Sequence, residues 1–369
     1  IEHNELHPTL ETVLKVEASG ENHKTRMSPR SSAVDDINKH RRALLARLRA
    51  RSNRDSSYEI AIESLNFMRK IVITGKYENV MELVELLKGE REKLAAAEPT
   101  EFVISNVVLS VLKMIREESE RATLGSDEFS PYDSLNKLWN APSLGDKDLG
   151  SRSLKKSAVA AINEFATEME ICRGNICAQA VDHICSSDVV ITHGLSRSET
   201  LRAFFDAART AHRTFRLLSV DDDCEHAEYL SSVDILSAMR HATRVIIAAA
   251  ALLPDGSCLA AAGSLMMCLA AKRHSVPVSI CAAFYKITPC FLPVLNLVPS
   301  MGSPAEFVQY WNDDSMSEAL IINPLFDVIP SQLISLYISH TSAISPSHVY
   351  RLIGEYYHPD DISHLNASQ

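Results

Sequence analysis

The segment Thr192-His193-Gly194-Leu195-Ser196-Arg197-Ser198 holds the densest chemistry in the chain. A glycine, two serines and an arginine lead there from an apolar run into a helical one. Backbone amides at such a junction, with a guanidinium beside them, can hold an anion such as a phosphate. Gly194, Ser196, Arg197 and Ser198 are therefore the candidate anion site. The pattern is neither the G-x-G-x-x-G fingerprint nor a P-loop, and a strand-to-helix turn capped by Ser196 or Ser198 explains the same residues. A second loop reads Asp221-Asp222-Asp223, followed by Cys224, Glu225, His226 and Glu228. These are metal donors by type, but three adjacent aspartates on extended chain cannot all face one ion, so a solvated acidic loop is expected. Cys172, Cys177, His183 and Cys185 lack a C-x-x-C pair and fall in a helical stretch, which argues against zinc. Leu252–Ser257 contains Pro254-Asp255-Gly256, the chemistry of a turn joining two strands. There is no G-x-S-x-G elbow and no H-E-x-x-H. No catalytic residue, metal or cofactor is expected from these motifs.

The elements that must position these loops follow from apolar periodicity. Val189–Thr192, Phe215–Val220, Arg244–Ala249 and Val278–Ala282 read as strands, each close to continuously apolar. Ser198–His212, Leu230–Ala242 and Gly263–Arg273 read as the helices between them. Alternation of this kind predicts a parallel sheet with helices on both faces, a doubly wound, Rossmann-like domain over 151–369. In such a sheet, ligands bind beyond the carboxyl ends of the strands. A long helical segment over 151–185 opens the domain, with Val159, Ile162, Phe165 and Met169 on one face and Gly174 as the expected break.

Upstream, residues 35–121 read as four amphipathic helices, an N-terminal helical domain of bundle type. Asp35 and Asp36 are expected to cap the first, which carries Ile37, Leu44, Leu45 and Leu48. Its other face is basic, from Lys39 through Arg41, Arg42 and Arg47 to Arg51, and reads as a solvated surface or a dock for an acidic partner. Ile60 to Val72 and Val80 to Leu87 give the next two helices, and Pro99-Thr100-Glu101 opens the last. Residues 122–150 read as a Gly/Ser/Asp/Pro-rich linker, and residues 1–34 as a flexible tail.

At 369 residues the chain exceeds one compact domain, and its 46% hydrophobic content supports a sizeable core. A net charge of −10 disfavours nucleic-acid binding. No apolar stretch approaches the ~18 residues of a membrane span. The eight cysteines are irregularly spaced, all in the second half, and read as reduced thiols in a reducing compartment. No secretory leader is read at the N-terminus, and because the sequence opens at Ile1, further residues upstream are expected.

Several blocks are long enough to resemble a known family. INPLFDVIPSQLISLYIS (Ile322–Ser339), YRLIGEYYHPDD (Tyr350–Asp361), Arg69–Glu101, Val111–Glu118, Thr192–Arg209 and Leu269–Phe291 resemble the regulatory subunits of eukaryotic translation initiation factor 2B, above all the beta branch. The resemblance spans roughly residues 35–365. The same superfamily includes sugar-phosphate isomerases such as methylthioribose-1-phosphate isomerase. It implies a helical domain followed by a Rossmann-like domain, in agreement with the periodicity. Where the isomerases carry a catalytic cysteine in a T-H-C-N loop, this chain has Gly194; where they carry an aspartate in G-A-D, it has Ala250. Their N-K-I-G-T segment becomes Ala260-Ala261-Ala262-Gly263-Ser264. A hydrogen and a methyl cannot move protons, so the resemblance implies a non-catalytic subunit. It further implies partnership with the alpha, delta, gamma and epsilon subunits of the exchange factor, delta being the nearest through the Rossmann-like domains. It also implies contact with translation initiation factor 2, especially its alpha subunit, a regulatory role in guanine nucleotide exchange, and a cytosolic location. Ser157 and His183 are implied as subunit-interface or small-molecule-pocket residues at the beta–delta junction. The loop Val220–Tyr229 departs from the beta pattern, being shorter and more acidic. The alternative left open is a sugar-phosphate isomerase-like or phosphosugar-binding protein.

Overall fold

The computed structural model describes residues 29–49, 56–75, 77, 79–124, 151–291, 301–306 and 320–366. Residues 1–28, most of the expected tail, and 125–150, most of the expected linker, lie outside the described residues, as does Arg51.

Helix α1 (Pro29–Arg49) buries Leu44 and Leu48. It begins at Pro29, inside the stretch expected to be tail, so Asp35 and Asp36 lie within the helix and do not cap it. Helix α2 (Ser57–Thr74) is capped by the Ser56 hydroxyl, which accepts from the Tyr58 amide, and ends at Gly75. Helices α3 (Val80–Ala97) and α4 (Phe102–Leu124) follow. The apolar faces of α2, α3 and α4 meet through Leu65, Met68, Ile71, Leu83, Leu87, Val107 and Leu112, all at 2% exposure or less. Burial of an amphipathic stripe is what holds helices of this length together. The basic face of α1 is largely solvated, as expected, with Lys39, Arg42, Arg47 and Arg49 exposed, but it also makes contacts within the chain. Arg41 pairs with the buried Glu90 of α3 at 2.5 Å, and Arg47 with Glu59 and Glu63 of α2. Two of its cations thus fasten α1 to its neighbours.

Helix α5 (Ser151–Ala178) runs without a break through Gly174, whose missing side chain costs helix propensity but creates no clash. It packs on α2 and α4 with its first half and on the α/β part with its second, so it belongs to both expected domains. The single turn α6 (Ala180–His183) leads into the sheet.

Among the described residues nine strands are ordered β3-β2-β1-β4-β6-β8-β9, the last being Ala343–Ile344, antiparallel to β8, with β5 and β7 branching from β4. Strands β1 (Val189–His193), β2 (Arg216–Val220), β3 (Glu228–Leu230), β4 (Arg244–Leu252), β6 (Val278–Cys281) and β8 (Leu336–Ile338) are parallel. Helix α7 (Glu199–Thr210) connects β1 to β2, and α9 (Ser264–His274) precedes β6. This is the expected Rossmann-like α/β arrangement. Val245, Ile246 and Ile247 on β4 are fully buried, which explains the uninterrupted apolar run.

Two departures concern residues with mixed signals. The helix expected over Leu230–Ala242 is instead strand β3, a 3-10 turn (Ser232–Asp234) and the one-turn α8 (Ile235–Ala238). The Ser237 hydroxyl there donates to the Asp234 carbonyl at 2.9 Å, a local bond of the kind that competes with a continued helix. The second departure is an antiparallel extension. Strand β5 (Cys258–Ala261) turns back on β4, and β7 (Phe326–Ile329) pairs with β5. The Asp327 carboxylate on β7 accepts from the amides of Gly263 and Leu265 at 2.8 and 2.9 Å, which caps α9. Among the described residues no helix is long and apolar enough to cross a membrane.

Candidate functional site

The strand order reverses between β1 and β4, and a cleft of about 470 Å3 opens at their carboxyl ends. A reversal of this kind is where an open parallel sheet leaves space for a ligand. The floor is His193 at the end of β1 and Gly194 after it, Ala248–Ala250 of β4, and Tyr285 and Lys286 after β6. The roof comes from the helical part, with Ser56–Tyr58 at the start of α2 and Glu98–Glu101 at the α3–α4 turn. The site therefore exists only where bundle and sheet meet.

Gly194 has φ +67°, a left-handed conformation that costs an L side chain energy, although the nearest atom to an added Cβ would be Ala261 Cβ at 3.5 Å. Register between β4 and β5 shifts between Ala249 and Ala251, an irregularity that directs Ala250 into the cleft. Gly194 and Ala250, far apart in sequence, thus line one cavity. The His193 ring bridges it from below, with Nδ1 3.1 Å from the Val220 carbonyl and Nε2 2.7 Å from that of Ala262.

The candidate anion residues divide. Gly194, Arg197 and Ser198 face the cleft, whereas Ser196 faces a neighbouring cavity beside α7. The Ser196 amide donates to Asp222 Oδ2 at 2.6 Å, and the Ser198 hydroxyl accepts from the Leu201 amide as the cap of α7. Two of the four groups therefore serve the fold. The acidic loop is solvated as expected, with Asp221, Asp223, Glu225, His226 and Glu228 exposed, and it also serves the fold: Asp222 holds the β1–α7 turn, and Asp221 accepts from the Ser232 amide at 2.9 Å.

Lys286 is partly buried, and its ammonium nitrogen donates to the Ala249 carbonyl at 2.8 Å. Burial depresses its pKa from the ordinary lysine range, against opposition from Glu101, Cys172 and Cys281. Tyr285 beside it is buried, and that burial raises its phenol. Glu101 is 7% exposed and accepts from the Ser57 hydroxyl at 3.1 Å, a bond that ties the roof together. Sequence reasoning missed the roof and Lys286. The strand-end rule could have found Tyr285-Lys286, because they follow an apolar strand directly; the roof has no local signal.

Ser157 and His183 do not meet. They sit towards opposite ends of α5–α6: Ser157 lies about 32 Å from the end of α5 at 1.5 Å rise per helical residue, and His183 lies beyond that end, in α6. Both are partly buried, and burial lowers the His183 imidazole, with Asp182 opposing and Arg244 adding to the effect. The eight cysteines are free thiols. Among the described residues no group of three or more His, Cys, Asp or Glu is placed to hold a metal ion.

Fold and cleft together define a Rossmann-like α/β protein whose switch-point cavity is roofed by a helical bundle. More specifically, the chain belongs to the Initiation factor 2 subunit family, whose family model matches residues 53–223 and 230–346 and so covers both parts. The break in the match falls within the loop that departs from the beta pattern. A relative, translation initiation factor eIF2B subunit beta of Dictyostelium discoideum, is 28% identical over 361 residues, covering 83% of this chain and 92% of the relative. Among solved structures, eIF2B beta from Chaetomium thermophilum superimposes with a TM-score of 0.67 at 19% identity, covering 96% of this chain and 98% of that one. A chain of the tetrameric eIF2B-beta2-delta2 complex from C. thermophilum gives 0.65 at 19% identity, covering 90% and 99%. The beta-branch resemblance read from the sequence blocks is thereby shown, and the chain is a translation initiation factor subunit by family.

Proposed function

We propose that the chain is a non-catalytic regulatory subunit of the guanine nucleotide exchange factor complex for translation initiation factor 2. In this reading it helps couple phosphorylation of that factor's alpha subunit to exchange. The observation that carries it is the family match across bundle and sheet alike, to a beta subunit over nearly its whole length. The cleft supports the non-catalytic part. Gly194 and Ala250, which replace the isomerases' cysteine and aspartate by resemblance, face the same cavity and offer it neither thiol nor carboxylate.

The partners in this reading are the alpha, delta, gamma and epsilon subunits and initiation factor 2, in the cytosol, without membrane or direct nucleic-acid binding. Delta is the nearest, through the Rossmann-like part. In support, α8 and α9 pack together and leave apolar side chains in water: Val233 at 87% exposure just before α8, Leu236 on it, and Met266 and Leu269 on α9. Clustered exposed apolar groups mark a surface that a partner covers. Ser157 and His183 act in this reading as separate interface residues, each needing another chain to complete a pocket.

The test is the native mass of the tagged chain from its own cells, with co-purifying chains identified. A large assembly containing sibling subunits and initiation factor 2 is expected. A solitary monomer or homodimer would overturn the reading. It would promote the phosphosugar-binding alternative, for which the open cleft with Lys286 and Arg197 is the favouring observation.

A further inference from the structure

We propose that Lys286 is a nucleophilic amine on the floor of the strand-end cleft, and that it takes up small anionic aldehydes as Schiff bases. The proposal is independent of the subunit's role in exchange.

The geometry carries it first. Lys286 ends the 3-10 turn Phe284–Lys286, which projects it from the end of β6 into a cavity of about 470 Å3. Facing it are Gly194 and Ala248–Ala250, side chains too small to fill the space. Its hydrogen-bond acceptor is the Ala249 carbonyl at 2.8 Å, a neutral group that an amine N–H satisfies as well as an ammonium does. Among the described residues no carboxylate closes an ion pair with it. Burial in such a place favours the uncharged, nucleophilic form of a lysine, with Glu101 opposing.

The anionic preference rests on how the other charges are used. Each carboxylate around the cleft has an internal partner: Glu98 accepts from Thr100, Glu101 from Ser57, and Glu199 pairs with Arg173 at 3.1 Å. Arg197, exposed at the rim, has no side-chain hydrogen bond or ion pair among the described residues. A cation left unpaired at the mouth of a cavity, above an amine whose charged form burial disfavours, suits a ligand whose anionic group stays at the rim while its carbonyl reaches the floor.

The step balances without a redox partner. The Lys286 lone pair adds to the aldehyde carbon, giving a carbinolamine. The carbon–oxygen bond then breaks, and the oxygen leaves as water with the two protons that the amine gave up. A carbon–nitrogen double bond remains.

The test treats the full chain in its native assembly with pyridoxal 5′-phosphate or with pyridoxal, traps any imine with borohydride, and maps the modified peptides by mass spectrometry. Lys286 is expected to be modified by the phosphate ester about tenfold faster than the exposed Lys156 and Lys272, the advantage of an amine more often unprotonated. Pyridoxal, which lacks the anion, is expected to react more slowly at Lys286. Arg197→Ala should remove the difference between the two aldehydes, and Lys286→Arg, which keeps the cation and a donor, should abolish the peptide. Labelling confined to surface lysines, with Lys286 modified only after denaturation, would overturn the proposal. Equal rates with the two aldehydes would overturn the part assigned to Arg197.

Discussion

At Gly194 and Gly263 the backbone itself dictates the residue. Gly194 has φ +67°, and an added Cβ would make only ordinary contact with Ala261 Cβ at 3.5 Å, so Gly194→Ala carries conformational strain alone, about 1 kcal/mol. Gly263 has φ +97°, and a Cβ there would lie 3.1 Å from His193 Nε2. Gly263→Ala therefore adds a steric conflict to the strain and presses on the ring that joins the Val220 and Ala262 carbonyls. Thermal melts of the two variants are expected to rank Gly263→Ala clearly below Gly194→Ala, with the latter only a few degrees below the parent. Equal melting temperatures would mean that His193 moves freely. The sequence showed the Gly194 turn because its chemistry is local: glycine, serine and arginine in one short segment. It could not show Asp222 bound to the Ser196 amide, nor Lys286 and Glu101 lining one cavity, because those groups are brought together by the fold across long stretches of chain.

Among the elements, the C-terminal helices depend most on a few polar contacts. Helix α10 (Val349–Tyr356) rests on α4, where Lys113 donates to the carbonyls of Gly354 and Glu355 at its end. Helix α11 (Pro359–Asn366) is fixed by Asp361, which is 2% exposed and takes two bonds from Arg116 of α4, at 3.0 and 2.8 Å, and a third contact from Lys88 of α3 at 2.8 Å. Burial alone would raise this carboxyl, but the bonds from Arg116 and Lys88 outweigh it and hold the pKa below the ordinary aspartate value. A depressed carboxyl stabilises the fold above its unfolded pKa, and that contribution is lost as pH falls through the lower folded value. Below about pH 4 the parent chain should accordingly lose stability, while Asp361→Asn should start lower and fall less. At neutral pH the substitution leaves the buried Arg116 charge with only the longer contact to Asp360 at 3.9 Å and should cost about 3 kcal/mol. Urea denaturation at neutral and acid pH checks both parts, and parallel pH curves for the two chains would remove Asp361 from the account. The helical periods of α2 and α4 were plain in the sequence because each buries one continuous stripe. The Arg116–Asp361 pair was not, since charged residues in a helix read as solvent-facing until a partner from the far end of the chain is known.

For the whole molecule, the question is why a chain with a well-filled core still leaves Val233 87% and Leu236 59% exposed, beside Met266 at 47% and Leu269 at 54%. Scattered apolar residues on a surface need no explanation, but these four fall on two adjoining segments, α9, which lies against β4, β5 and β7, and the short turn and α8 beside it. None of them contributes to the chain's own core, so a charge placed there should leave the fold intact. A charge buried at a subunit interface without a partner, by contrast, costs several kcal/mol. Leu236→Glu and Leu269→Glu are thus expected to melt within a degree or two of the parent while losing at least tenfold in association with the delta subunit, read from co-purification and native mass. Val80→Glu makes the contrasting control. It sits on the partly buried face of α3, packed against the chain's own core, and should lower the melting temperature whatever the chain is bound to. Retention of the full assembly by both leucine variants would show that the partner covers another surface, and would move the search to the outward face of α5, where Ile171 is 52% exposed.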